Sequence, residues 1–230
     1  MQIYVKDVRR GKRLRTFVAM DMPVTWILIG ANVLVSLMYM QNQQFKNRFM
    51  FNAYAIKHRN EWWRWFTGAF LHADGMHLLF NMMTLYFFGP YIEKSFCSPA
   101  LFGPVKGELM YFLLYVSAIP VASAFSFFKH RNNPYYNALG ASGAVSAIVY
   151  SFILMEPVAN IYMFFSIPIP CWIYGILYLV ISYTLARRNV GNIGHDAHFW
   201  GSVYGFVFPI VFFPFLAENF VSQLVQALVK

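Results

Sequence analysis

Asn137-Ala138-Leu139-Gly140-Ala141-Ser142-Gly143-Ala144-Val145-Ser146 sets a serine between two glycines where an apolar helical pattern begins. A serine in an apolar helix often does no more than satisfy the carbonyl one turn back. The glycines suggest more. Gly140 permits a backbone bend that other residues resist, and Gly143 removes a side chain that would crowd Ser142. A serine at a helix start also has unpaired backbone N–H groups beside it, suited to a developing oxyanion.

The surrounding chain is 59% hydrophobic and 12% charged over 230 residues, about half the usual charged share of roughly 25% for a soluble domain. Apolar runs at 24–40, 76–92, 109–128, 141–155, 167–186 and 197–216 predict an all-α membrane protein of six transmembrane helices. One domain is expected over 21–216, between a basic cytoplasmic tail at 1–20 and a C-terminal tail at 217–230. The net charge of +9 suits an anionic bilayer surface. The basic residues are scattered between spans rather than forming one stripe, which argues against nucleic acid. Cys97 and Cys171 read as packing residues.

Six basic residues precede the first span and favour a cytoplasmic N-terminus. Lysine and arginine over the whole chain divide nine and nine in that orientation, so the clustering in the tail carries the assignment. The connection at 41–75 is long. Its Glu61-Trp62-Trp63-Arg64-Trp65-Phe66 reads first as an interfacial anchor.

The second, fourth and sixth spans bring polar groups with them. His77 and Asn81 are four apart and share a helix face, fit for interhelical hydrogen bonding or for donating to a reacting oxygen. Ser142 and Ser146 are one turn apart, as are Gly143 and Ala147. His198, Gly201 and Gly205 form one stripe that would let another helix come near His198, the small-residue stripe under Ser142 being the obvious neighbour. The third and fifth spans read as packing. Spans two, four and six run the same way, so these groups enter from one side. At 1.5 Å per residue they lie roughly 5–10 Å below the surface. A nucleophile, a base and a donor pair at one depth meet the requirement for acyl transfer.

Trp63-Arg64, His77-x-x-x-Asn81, Gly140-Ala141-Ser142-Gly143 and His198-x-x-Gly201-x-x-x-Gly205 occur in that order, and with them the chain resembles the rhomboid family of intramembrane serine proteases. The resemblance covers about residues 62–208. It implies a six-helix rhomboid-like bundle with a Ser–His dyad: Ser142 as nucleophile and His198 as general base, then acid. It further implies an oxyanion hole of His77, Asn81 and the Ser142 backbone N–H, a membrane-embedded loop at 41–75 in which Arg64 is structural, and single-span membrane-protein substrates. No cofactor is implied. Members of the family often carry an aromatic ring four residues after the serine, beneath the histidine; here that residue is Ser146. Asp196, two residues before His198, should point elsewhere, so no triad is expected.

Two other readings stay open on the sequence. His72, Asp74, His77, His195, Asp196 and His198 form a second candidate set, for zinc in a transporter or metalloprotease, though this leaves Ser142 and its glycines unexplained. A non-catalytic relative of the same fold could instead act as a membrane-protein scaffold, although such relatives usually lack the serine or the histidine. The lack of an Arg/Ser-rich transit segment favours a bacterial cytoplasmic membrane.

Overall fold

Pro23 opens the first long helix, α1 (Pro23–Tyr39), with its fixed φ preset for a helical first turn. The computed structural model describes residues 5–6, 13–14, 22–163, 166–188 and 194–229. Most of the expected basic tail therefore lies outside the described residues, apart from β1 (Val5–Lys6) and β2 (Arg13–Leu14), which pair antiparallel. After α1 come the short helices α2 (Gln43–Phe49), α3 (Ala53–Arg59) and α4 (Arg64–Thr67), then the long α5 (Gly75–Phe96) and α6 (Pro104–His130). α7 (Ser142–Met155) leads to the hairpin β3 (Asn160–Met163) and β4 (Ile167–Pro170), and α8 (Cys171–Arg188), α9 (His195–Phe212) and α10 (Phe215–Val229) complete the chain.

Each of the six apolar runs contains most of a long helix, the fifth starting in β4 and the sixth ending just past the break after α9. By length and apolarity, however, only α6 among the described helices suffices alone to cross a bilayer. α9 and α10 suffice as a pair bent by 115°, and α1 and α7 are apolar but shorter. The polar groups of interest are part of the cause. His77, Asn81, Glu93 and Lys94 dilute α5, and α7 starts only at Ser142. Two expectations are corrected. The first four residues of the run at 167–186 are strand, because Pro168 and Pro170 suit an edge strand and not a helix interior. Residues 217–229, read as a tail, belong to α10, where Gln223 donates to the Met155 carbonyl at 3.2 Å.

The long helices alternate in direction. Glu93, near the end of α5, accepts from the N–H groups of Val24 and Thr25 at 2.9 and 2.8 Å, so a buried carboxylate caps the start of α1. At the other end of α1, Ser36 donates to the Phe70 carbonyl just before α5 begins. α5 and α7 are parallel, with His77 beside Gly140 at one end and Tyr91 bonded to Glu156 at the other. α7 and α9 are also parallel: Ser142 meets His198, and further along Ser151 donates to the Gly205 carbonyl. The starts of α5, α7 and α9 thus share one end of the bundle. Beneath them Leu85, Ile92, Tyr111, Leu114, Tyr115, Ala147 and Ile148 form a core shared by α5, α6 and α7.

Candidate active site

The turn into α7 explains why Ser142 sits where it does. Gly140 has φ +115°, a conformation that a side chain strains. A Cβ there would also lie 2.6 Å from the His77 ring. The strand-like bridge between Phe51 and Ala138 and the Gly140 N–H to Gly68 carbonyl bond (2.9 Å) pin this loop to the preceding short helices. Arg64 holds that segment from inside. Its buried guanidinium donates to the Asn47 and Met50 carbonyls, both at 2.9 Å, and pairs with Glu61.

His198 Nε2 lies 2.7 Å from Ser142 Oγ. The approach depends on glycine. A Cβ at Gly201 would fall 2.2 Å from the Gly143 carbonyl oxygen, and one at Gly205 would fall 2.0 Å from that of Ala147. Backbone therefore meets backbone between α7 and α9, the close approach of the two small-residue stripes. Gly143 also makes room for Ala122 of α6, whose Cβ would lie 2.8 Å from a Cβ placed there.

His77 and Asn81 line the same cavity as Ser142 and His198, a space of about 600 Å³ between α5, α7 and α8. Asp74 caps α5 by accepting from the His77 N–H at 2.8 Å, which fixes the start of that helix. The Asn81 amide donates to the His77 carbonyl at 3.0 Å. Its second N–H remains available for a further acceptor.

Asp196 pairs with Lys129 at 3.3 Å, away from His198. His72, met in the sequence only as a possible ligand, lies buried between Ser36 Oγ (2.8 Å from Nδ1) and the Ala141 N–H (3.5 Å from Nε2). The Ala141 N–H donates to Nε2, so Nδ1 carries the proton and donates to Ser36. Burial, then the neighbouring His77, lowers the His72 pKa to about 4. Among the described residues no group of three or more His, Cys, Asp and Glu side chains is placed to hold a metal.

What the sequence reading missed is on α8. Tyr178 stacks on His198 with ring centroids 6.1 Å apart and planes 24° apart, and its hydroxyl lies 2.8 Å from Ser146 Oγ. Ser146 therefore bonds a tyrosine rather than a carbonyl one turn back. Tyr174 and Tyr150 line the cavity as well. A signal was present: Tyr174 and Tyr178 are four apart, one polar-tipped face on a helix read as packing.

A family model described as the Rhomboid domain matches residues 59–215. The chain is similar to RHOMBOID-like protein 12, mitochondrial, of Arabidopsis thaliana, with 31% identity over 193 residues, 79% of this chain and 56% of that one. It is similar to Rhomboid protease GlpG of Haemophilus influenzae, with 24% identity over 204 residues, 86% of this chain and 95% of that protein. With Rhomboid protease GluP of Bacillus subtilis it shares 27% identity over 176 residues, 74% of this chain and 32% of that one. The chain thus spans about half the length of the first relative and a third of the last. By name these relatives include mitochondrial and bacterial proteins, so the likeness carries a membrane but not a compartment. With the match running from the short helices that hold Arg64 to the end of α9, the chain belongs to the rhomboid family of integral membrane proteins.

Proposed function

We propose that this protein is an intramembrane serine endopeptidase that hydrolyses peptide bonds in or near the transmembrane segments of single-span membrane proteins. The observation that carries the reading is the 2.7 Å contact between Ser142 Oγ and His198 Nε2 at the edge of a cavity flanked by helix starts. Ser142 Oγ attacks the scissile carbonyl carbon while His198 Nε2 takes its proton. The carbonyl oxygen becomes an oxyanion, stabilised by the Ser142 backbone N–H, His77 and the Asn81 amide. His198 returns the proton to the leaving amine, and water then hydrolyses the acyl-enzyme by the same route in reverse.

Six helices spanning the bilayer, with the N-terminus cytoplasmic and the site near the opposite surface, complete the reading, in a bacterial inner membrane. The alternating helix directions support it, since they bring His77, Ser142 and His198 to one end.

The test is labelling by a fluorophosphonate probe in membranes. The wild-type protein should be labelled at Ser142, insensitively to chelators, and Ser142→Ala should abolish both labelling and cleavage of a single-span substrate. Asn81→Ala should lower kcat by about 10²-fold with little change in KM, as expected of an oxyanion donor. A wild-type protein that binds membrane proteins but is never labelled would select the scaffold reading.

A further inference from the structure

Resting on that reading, we infer that Tyr178 is the positioning residue for His198, its ring a platform for the imidazole and its hydroxyl fixed by Ser146. A general base must present one nitrogen along one line. The bond from Nε2 to Ser142 defines that line but leaves the ring free to swing about it. A carboxylate on the other nitrogen often removes this freedom. Here the nearest acid in sequence, Asp196, is engaged with Lys129. The groups beside the imidazole are rings: Tyr178 nearly parallel to its face at 6.1 Å, and His195 edge-on at 5.9 Å.

A platform orients only if it is itself held. α8 buries few residues, Cys171, Gly175 and Ser182. It is tied to α7 by two hydroxyl contacts, Tyr178 to Ser146 at 2.8 Å and Tyr150 to the Gly175 carbonyl at 2.6 Å. Ser146 is buried one turn below Ser142 on the same helix. The Ser146–Tyr178 bond therefore references the ring that orients the base to the helix that carries the proposed nucleophile. It also gives Ser146, otherwise a polar cost in an apolar helix, a reason to be there.

The experiment compares Tyr178→Leu, Tyr178→Phe, Ser146→Ala and the Tyr178→Phe/Ser146→Ala double variant in proteoliposomes. The readouts are kcat and KM on a single-span substrate and the rate of fluorophosphonate labelling. Tyr178→Leu should lower kcat about 10²-fold, the lower end of what a general base contributes, with KM changed less than about twofold and labelling slowed in parallel. Tyr178→Phe keeps the platform and should lose only about three- to tenfold, the worth of one hydrogen bond. Ser146→Ala should lose the same, and the double variant no more than either, because both remove one bond.

Folded Tyr178→Leu protein that labels at the wild-type rate overturns the inference and leaves the protease reading standing. If Tyr178→Leu fails to fold, the other three variants decide: null or additive losses overturn it, and a shared, non-additive loss supports it. Wild-type protein that neither labels nor cleaves overturns both.

Discussion

Between α7 and α9 a Cβ added at Gly205 would lie 2.0 Å from a carbonyl oxygen, whereas between α7 and α8 the ties are tyrosine hydroxyls reaching Ser146 and the Gly175 carbonyl. At its two glycine contacts the first interface has no side chain to move. The second is two hydrogen bonds on long side chains around a cavity of about 600 Å³. In a bilayer helices gain little by hiding apolar surface from one another, so close packing and hydrogen bonds decide how firmly they are held. Both faces of α7 use both, in different proportions: the α9 face adds the Ser151 bond to the Gly205 carbonyl to its backbone contact, and the α8 face adds the packing of Val149 and Ile153 on Cys171 and Tyr174. α9, which brings His198 to Ser142, is fixed mainly by packing, and α8, which borders the opening, is held mainly by bonds that break and reform at modest cost.

The harshest way to break this contrast is Gly205→Val, which should cost about 3–5 kcal/mol or prevent folding, because backbone on both sides leaves nowhere for the methyl groups to go. Thermal unfolding in detergent, read with labelling at Ser142, measures it; a stable and fully labelled variant would show that the α7–α9 contact is softer than described. On the other face Tyr150→Phe should cost about 0.5–1.5 kcal/mol, the worth of its one bond to the Gly175 carbonyl. The α7–α9 face should be unaffected, which cross-linking between engineered cysteines would check.

The smallest effect sharpens the comparison at the start of α7, which also rests on His72. Its lowered pKa means that the unfolded chain binds a proton more readily than the folded one between about 4 and 6.5. This contribution to stability is present above about pH 6.5 and is lost as pH falls towards 4, and protonation removes the Nε2 acceptor facing the Ala141 N–H. His72→Gln should flatten that acid loss in a melting series. An unchanged slope would assign the acid sensitivity elsewhere.

The sequence made the α9 face readable and left the α8 face dark, for a physical reason. Glycines at helical spacing announce close approach by themselves, so Gly201 and Gly205 pair with the stripe under Ser142 on the sequence alone. The site histidines and Asn81 stood out because polar groups in apolar runs are expensive. The tyrosines on α8 carry only the weaker signal of their four-residue spacing, since a tyrosine in a membrane helix packs equally well against lipid or protein. Ser146 was silent in the same way: a carbonyl one turn back is always within reach of a helical serine, and only the fold shows Tyr178 as its partner. The hairpin at 160–170 escaped because Ile167-Pro168-Ile169-Pro170 is apolar enough to join the following run. The amphipathic α10 escaped because the span before it seemed to end the domain.

The bare backbone contact at Gly201 and Gly205 also has a meaning in entropy. An interface made of leucines positions its helices through the rotamers of every side chain between them, and each adds its own scatter to the separation. A carbonyl resting on a glycine Cα has no rotamer to freeze on folding and none to fluctuate afterwards. A reacting geometry must hold within roughly 0.5 Å. With Gly201 only three residues beyond His198 and Gly143 next to Ser142, the path between the Cα atoms of the proposed dyad is almost entirely backbone. The separation of those two Cα atoms is thereby held by the stiffest material the polypeptide has, and only the orientation of the imidazole is left to the rings beside it.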